Sequence, residues 1–445
     1  MPQQSWLNVN LLLRLDRLDN RRLVVVSLVH SVINLFKIMS LDLIFSSCMR
    51  VGGESIKGEV ELRFPQVVQD EIEEVHVRLK GLILTRVSRQ YGTQQFIRQE
   101  RTEICKESQT VWTKGTIYPS PGSQILRVPF QFNLPVELHP SFEYNAAYKN
   151  AIIGYFIEVV GARKGTFNAN RRIIRPFAVV RDDPEGASIR SALQKGWSQE
   201  WTTTERFAKI RKGLWGGHAD VRMEFLLPKV AGLPLFTKIP FKLRVVTTTK
   251  EMKYTTRDES DAERVFPVPP ILPKEVELSL RRQVYITARR WAATDSETVA
   301  PVGSMGKSAS SETRDEVVKT YEKRWVPCDK DNQTGSWRQQ SEMQSTIELK
   351  WSPSFSTPNL TQRHFLRLKV CFPGIGNNLQ ADIPIRITSG MVTPTEAEAP
   401  AYDGPPPALN LPPTYWDATD WDQQQHHQYD EKANADGPPG SDGNS

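Results

Sequence analysis

The chain has 445 residues, of which 39% are hydrophobic, enough apolar material for two ordinary domains with cores of their own. Its formal net charge of +6 hides an asymmetry, because residues 389–445 hold ten acidic residues and one basic residue, a net charge of −9. Residues 1–388 therefore carry +15, the difference between +6 and −9. Their Lys and Arg are spread among acidic residues, which argues against a nucleic-acid-binding protein and leaves anionic lipid or phosphorylated partners open.

The cysteines and histidines indicate neither a metal site nor a catalytic centre. Four cysteines stand apart, with no CxxC pair and no nearby pair of histidines, which argues against zinc sites and secreted disulfide frameworks: Cys48, Cys105, Cys328 and Cys371. No GxSxG, HExxH, P-loop or GxGxxG stretch occurs, and the seven histidines are scattered. The sequence therefore predicts no enzyme, no catalytic residue, no metal and no cofactor. His76 and His364 fall within strand patterns and are expected to be ordinary sheet residues.

Residues 1–38 form an extension ahead of the first predicted domain. Within it, residues 23–38 (LVVVSLVHSVINLFKI) follow Arg21-Arg22 and could pass for a signal or membrane segment. The run is only 16 residues long, includes polar residues and lacks a small-residue cleavage site, whereas a membrane span needs about 20 residues. A better fit is that Met39 is the true start, which would make the extension a mis-annotated start or a disordered segment.

After Met39 the hydrophobic pattern has a period of two, which is typical of β-strands with one buried face. Residues 71–87 and 151–165 show it most clearly. Further strands are predicted at residues 60–64, 125–135, 171–180, 220–228, 239–249, 275–291, 315–325, 344–351, 364–372 and 381–387. Short alternating strands between Gly, Pro and Asn turns predict an all-β protein with two antiparallel sandwiches, at residues 39–182 and 218–388.

The pattern changes in residues 183–217, between the two predicted sandwiches. Apolar residues there share one arc at helical spacing: Trp197, Trp201, Phe207, Ala208, Leu214 and Trp215. This predicts a helical linker whose apolar stripe packs against a domain, with a membrane-surface helix as the alternative. Residues 294–313 (TDSETVAPVGSMGKSASSET) predict a loop inserted between strands of the second sandwich.

Several segments resemble the arrestin family. They are VGGESIKGEVEL at residues 51–62, VHVRLKG at 75–81, VPFQFNLPVELHPSFE at 128–143 and IIGYFIEVVGARKG at 152–165. Residues 239–246 and 364–387 look like the matching second sandwich. The chain is most similar to fungal arrestin-related trafficking adaptors (α-arrestins) over residues 40–388. The resemblance implies two tandem immunoglobulin-like arrestin sandwiches.

The acidic tail, predicted at residues 389–445 and expected to be disordered, contains Pro412, Pro413, Thr414 and Tyr415, which form a PPxY motif. Prolines pre-set a polyproline II conformation, so little entropy is lost when such a segment docks in an aromatic groove, and Tyr415 supplies an anchor. The resemblance implies that this motif binds WW domains, because arrestin-related adaptors carry PPxY motifs that do so. The cluster at Pro405, Pro406 and Pro407 lacks the PPxY order and is expected to be linker.

The resemblance implies a non-enzymatic adaptor whose PPTY motif recruits a HECT-type ubiquitin ligase through its WW domains. The cargo would be a membrane transporter or receptor, whose ubiquitination and endocytosis the adaptor promotes. The expected location is cytoplasmic, peripheral at the plasma membrane and endosomes, where the basic body suits anionic membrane. The alternative is a signalling scaffold, for example in pH sensing, whose tail binds WW domains without ubiquitin transfer.

Overall fold

The computed structural model describes residues 39–394 except 47, 166–168, 212–216, 256–266, 304, 306–316, 329–332 and 375. The described chain is mostly antiparallel β-sheet, and its larger sheets face each other in pairs around two hydrophobic cores. The predicted all-β sandwich class is therefore confirmed. Residues 1–38 and the PPTY motif lie outside the described residues.

The first sandwich consists of two main sheets. Its strands are β1 (Leu41–Phe45), β2 (Arg50–Val51), β3 (Ser55–Arg63), β4 (Ile72–Tyr91), β5 (Gln94–Thr113), β6 (Ile125–Asn133), β7 (Phe142–Ala146), β8 (Lys149–Arg163), β9 (Arg171–Phe177) and β10 (Val179–Val180), with a short helix α1 (Gln66–Gln69). One sheet has the order β1-β3-β6, and the other has the order β5-β4-β8-β7 with β9 also paired to β8. Their facing sides share one core.

The alternation in the sequence decides which side of each strand is buried. In β8, Ile153, Tyr155, Ile157 and Val159 are all fully buried, as the period of two predicts. Tyr155 also satisfies its hydroxyl, which donates to the carbonyl oxygen of His139 at 2.8 Å. The strands predicted at residues 71–87 and 151–165 are therefore confirmed as the two central strands of the larger sheet.

The second sandwich begins after helix α2 (Pro184–Gln194). Its strands are β11 (Trp201–Arg211), β12 (His218–Pro228), β13 (Leu233–Pro234), β14 (Ile239–Thr249), β15 (Met252–Lys253), β16 (Val276–Ala288), β17 (Trp291–Pro301), β18 (Val317–Pro327), β19 (Thr334–Ile347), β20 (Phe355–Ser356), β21 (Leu360–Cys371), β22 (Asn378–Ile385) and β23 (Ile387–Thr388), with a 3-10 turn at Pro273–Glu275. One sheet has the order β11-β12-β14-β19, with β15 and β18 both on β19. The other has the order β17-β16-β21-β20, with β22 on β21.

The helical linker predicted at residues 183–217 is wrong for its second half. Helix α2 ends at Gln194, and residues 201–211 form the edge strand β11, which pairs with β12 along its whole length. Three consecutive β-branched residues at 202–204 favour a strand, and β12 offers a ladder of hydrogen bonds. Phe207 is exposed on β11, with the guanidinium of Arg222 5.6 Å from its ring centroid. Leu214 and Trp215 lie outside the described residues.

One further sequence prediction needs correction, and one strand was not predicted at all. The loop predicted at residues 294–313 is wrong for residues 294–301, which belong to strand β17 and pair with β16. Strand β5 was not predicted, although it pairs with β4 over almost its full length. Most of its side chains are exposed or half-buried and only Trp112 is buried, so no apolar alternation marks it.

Candidate functional site: the junction of the sandwiches and the exit of the tail

The predicted site residues Pro412, Pro413, Thr414 and Tyr415 lie outside the described residues. What the structure does describe is the start of the tail. The tail was predicted to be disordered from residue 389, and this is wrong for residues 389–394, which are held by a set of hydrogen bonds. The tail therefore leaves the body from a defined point.

Residues 389–394 cross from the second sandwich to the first. The Ser389 hydroxyl donates to the carbonyl oxygen of Arg181 at 2.6 Å. The backbone N–H of Asp183 donates to the carbonyl oxygen of Met391 at 2.7 Å. The Thr393 hydroxyl donates to the carbonyl oxygen of Gly52 at 2.6 Å. The segment, which leaves the second sandwich after β23, is thus bonded to the first sandwich and to the stretch that leads into helix α2.

Asp183 joins helix α2 to this segment. One oxygen of its carboxylate accepts from the N–H of Gly186 at 2.9 Å, which caps the helix N-terminus. The other oxygen accepts from the N–H of Gly390, also at 2.9 Å. Further along the helix, the guanidinium of Arg190 donates to the carbonyl oxygens of Leu235 and Ser389, both at 3.0 Å. Helix α2 therefore clamps the start of the tail with a carboxylate at one end and a guanidinium near the other.

The two sandwiches meet along an apolar seam. Four residues of the second sandwich complete the core of the first: Val284, Ile286, Ala288 and Leu360, all fully buried. Phe142 of β7 packs edge to face on Phe355 of β20, with ring centroids 5.1 Å apart. Because this surface is buried as in a domain interior, the two sandwiches are held as one body.

Polar groups at the seam are paired across it. The Tyr144 hydroxyl donates to the carboxylate of Asp295, and Lys149 reaches the same carboxylate at 2.9 Å. The hydrogen bond from Tyr144, assisted by Lys149, holds the pKa of Asp295 below its usual value. Burial, together with the hydrogen bond to Asp295, raises the pKa of the Tyr144 hydroxyl.

Arg282 of β16 lies at the centre of the seam. It pairs with Glu297 and donates to the carbonyl oxygen of Glu143 at 3.1 Å. Its guanidinium also lies 5.2 Å from the ring centroid of Tyr144. Burial raises the pKa of the Glu143 carboxyl to about 7, and the positive charge of Arg282 opposes this shift only in part.

The hairpin of β4 and β5 reaches over the second sandwich. Arg89 and Arg98, one on each strand, place their guanidinium groups 4.9 and 5.5 Å from the ring centroid of Trp291. The N–H of Arg289, in the turn before β17, donates to the carboxylate of Glu100 at 2.6 Å. The hairpin therefore contacts both the turn between β16 and β17 and the first residue of β17.

The histidines within the strands have structural surroundings. His364 is buried, its Nδ1 lies 2.9 Å from the Ser354 hydroxyl, and burial lowers its pKa to about 3. His76 contacts Thr110 at 3.0 Å and Glu74 at 3.2 Å. Across the described ranges no three His, Cys, Asp or Glu residues are grouped to hold a metal ion, and no disulfide joins the four cysteines. Neither helix of the described part has the length and hydropathy of a membrane span.

The sequence matches no protein-family model and no curated protein. The junction itself was not foreseen from the sequence, because its partners are far apart along the chain and each is an ordinary residue of its own strand.

Proposed function

We propose that this protein is a non-enzymatic, arrestin-like adaptor. Its PPTY motif at residues 412–415 recruits a HECT-type ubiquitin ligase through WW domains. Its body binds a membrane transporter or receptor, so that the bound cargo is ubiquitinated and taken up by endocytosis. The observation that carries the proposal is a PPxY motif placed a short way along the chain from an anchor on a rigid two-sandwich body.

The distance along the chain sets how far the ligase can be from the body. Pro412 follows Pro394 by 18 residues (412 minus 394), and a fully extended chain of that length spans at most about 65 Å. A ligase bound to PPTY therefore stays within that radius of the junction. Such a tether replaces a bimolecular encounter between ligase and cargo with an intramolecular one, which raises the effective concentration.

The junction gives the tether a fixed origin. The apolar seam, the ion pair of Lys149 with Asp295 and the stacking of Arg89 on Trp291 hold the two sandwiches together. Residues 389–394 continue from the second sandwich and are bonded to the first. Cargo bound to either sandwich would therefore lie at a constant distance from the start of the tail. If the two sandwiches moved freely relative to each other, the distance between bound cargo and the start of the tail would vary.

The outer face of the first sandwich supplies a basic surface for an acidic cargo segment or anionic membrane. There the buried carboxylate of Glu158 is surrounded by Lys80 at 2.6 Å, Arg78 at 3.6 Å and Arg172 at 3.7 Å. The three cationic side chains outnumber this one carboxylate, so the local net charge is positive, +2. Cations near an anionic membrane contribute about 1 kcal/mol each.

The test is ubiquitination of the full chain and its cargo. The purified chain is incubated with a HECT ligase that carries WW domains, with and without Tyr415→Ala. We expect the substitution to weaken ligase binding by about thirtyfold or more and to reduce ubiquitin transfer accordingly, whereas Tyr402→Ala, which changes a tail tyrosine outside any PPxY, should affect neither. WW binding without transfer would favour the signalling scaffold, and equal binding by all three chains would refute recruitment through PPTY.

A further inference from the structure

An aromatic slot opens at one end of the first sandwich. It has a volume of about 270 Å³ and lies where β4 begins and β5 ends. Its walls include the rings of Phe64, Trp112 and Tyr118 and the side chains of Val67 and Val68. A cavity of about 150 Å³ lined by apolar side chains is already large enough to hold a benzene ring. The slot is therefore large enough for an aromatic side chain.

The slot has an aromatic wall and is open to solvent. Phe64 packs against Trp112 at 5.8 Å and against Tyr118 at 5.9 Å between ring centroids. The Trp112 indole N–H already donates to the carbonyl oxygen of Ile117 at 2.8 Å, so it needs no further acceptor. At the rim, Val68 is 67% exposed and Tyr118 is 56% exposed. An exposed aromatic surface of this kind is typical of a binding site for an apolar group.

The chain enters the fold beside this slot. The carbonyl oxygen of Ser40 accepts from the N–H of Arg63 at 2.9 Å, and the Ser40 hydroxyl bonds the carboxylate of Asp70. Arg63 directly precedes Phe64, and Asp70 directly precedes the slot residue Glu71. Because β1 runs antiparallel to β3, the residues before Ser40 lead toward Phe64.

The segment before Ser40 contains one suitable side chain. Phe36 is the only Phe, Tyr or Trp between Trp6 and Phe45, and it precedes Ser40 by four residues. Four extended residues span about 13 to 14 Å, so the ring of Phe36 can reach the slot. The slot is lined by two acidic residues, Glu71 and Glu73, and by two basic residues, Lys114 and Lys164, so apolar contact and not charge favours this occupant.

We propose that the aromatic slot is an intramolecular docking site for residues 35–38, with the Phe36 ring inserted beside Phe64, Trp112 and Tyr118. On this proposal the first sandwich begins before Met39, and the end of the extension is part of the folded protein. The proposal does not depend on the function of PPTY.

The test places a photo-reactive group at the proposed contact. The full chain is made with p-benzoylphenylalanine in place of Phe36, irradiated, and mapped by mass spectrometry. We expect cross-links within one chain to peptides covering residues 64–73 or 112–118. Val68→Glu should lower their yield by about tenfold or more, because the inserted ring would have to desolvate the new carboxylate. Val136→Glu is the matched control, since Val136 is similarly exposed at 61% but lies beside Gly52.

Three results would overturn the proposal. Cross-links confined to other surfaces would show that Phe36 docks elsewhere, and a yield unchanged by Val68→Glu would show that the slot is not involved. Covalent dimers would assign the slot to a second copy of the chain. An independent readout is hydrogen exchange, which should be faster at residues 64–73 in full-length Phe36→Ala than in the parent; equal rates would likewise refute the docking.

Discussion

Asp183→Ala should loosen the start of the tail and destabilise the body. The carboxylate of Asp183 accepts two backbone N–H groups, from Gly186 and Gly390, each at 2.9 Å. Loss of a helix N-cap costs about 1 kcal/mol, and loss of a hydrogen bond to a charged group costs about 1.5–3 kcal/mol. The two costs sum to about 2.5–4 kcal/mol, and because Asp183 is only half-buried we expect a loss at or just below the lower end, about 2–3 kcal/mol.

Asp183→Asn separates the two contributions. An asparagine caps a helix as well as an aspartate does, but its amide cannot accept from both N–H groups. We therefore expect Asp183→Asn to keep the cap and lose the bond to Gly390, at more than half of the cost of the alanine variant, because this bond is the larger of the two contributions.

The assay is thermal and urea unfolding together with hydrogen exchange. Asp183→Ala should lower the melting temperature by roughly 4 to 12 °C, at about 2–4 °C for each kcal/mol. The amides of residues 390–393 should exchange faster in both variants, whereas those of β8 should lose protection only with global stability. A stability change below about 0.5 kcal/mol in the alanine variant, with unchanged exchange at residue 390, would refute the clamp.

Three further predictions concern the seam and the motif. Ionised Glu143 is disfavoured in the fold, so its contribution to stability should fall as pH rises from 4.5 to about 7, and Glu143→Gln should remove this dependence in urea unfolding. Trp291→Ala removes the cation–π contacts of Arg89 and Arg98 and should lower the free energy of unfolding by about 1–2 kcal/mol; it should also speed proteolysis at the tip of the hairpin of β4 and β5. Tyr415→Ala should weaken binding of a tail peptide to a WW domain by about thirtyfold or more, measured by titration, and phosphorylation of Tyr415 should also block docking.

Each of these has a result that would contradict it. A stability difference between about pH 5 and about pH 8 that survives in Glu143→Gln would place the titrating group elsewhere. Unchanged proteolysis in Trp291→Ala would mean that the hairpin is held by other contacts, such as the bond between Glu100 and Arg289. Equal binding by the intact, substituted and phosphorylated peptides would make PPTY a linker.

The local sequence pattern was sufficient to predict the strands that have one apolar face. In β4 and β8 every second residue is apolar because one face of each strand meets the core, and this alternation is visible along the chain. The pattern failed where a strand has little buried surface. Strand β5 is mostly solvent-exposed, and β11 lies at a sheet edge with Phe207 exposed, so neither displays a period of two.

The sequence by itself determined the fold class, the asymmetry of charge and the position of the PPTY motif, since all three depend only on which residues are close together along the chain. Only the tertiary structure decided how the two sandwiches meet and where the tail begins. Arg282 and Glu143 are 139 residues apart, and Thr393 and Gly52 are 341 apart. No local propensity encodes such pairs, because a hydrogen-bond partner that distant is chosen by the packing of whole sheets.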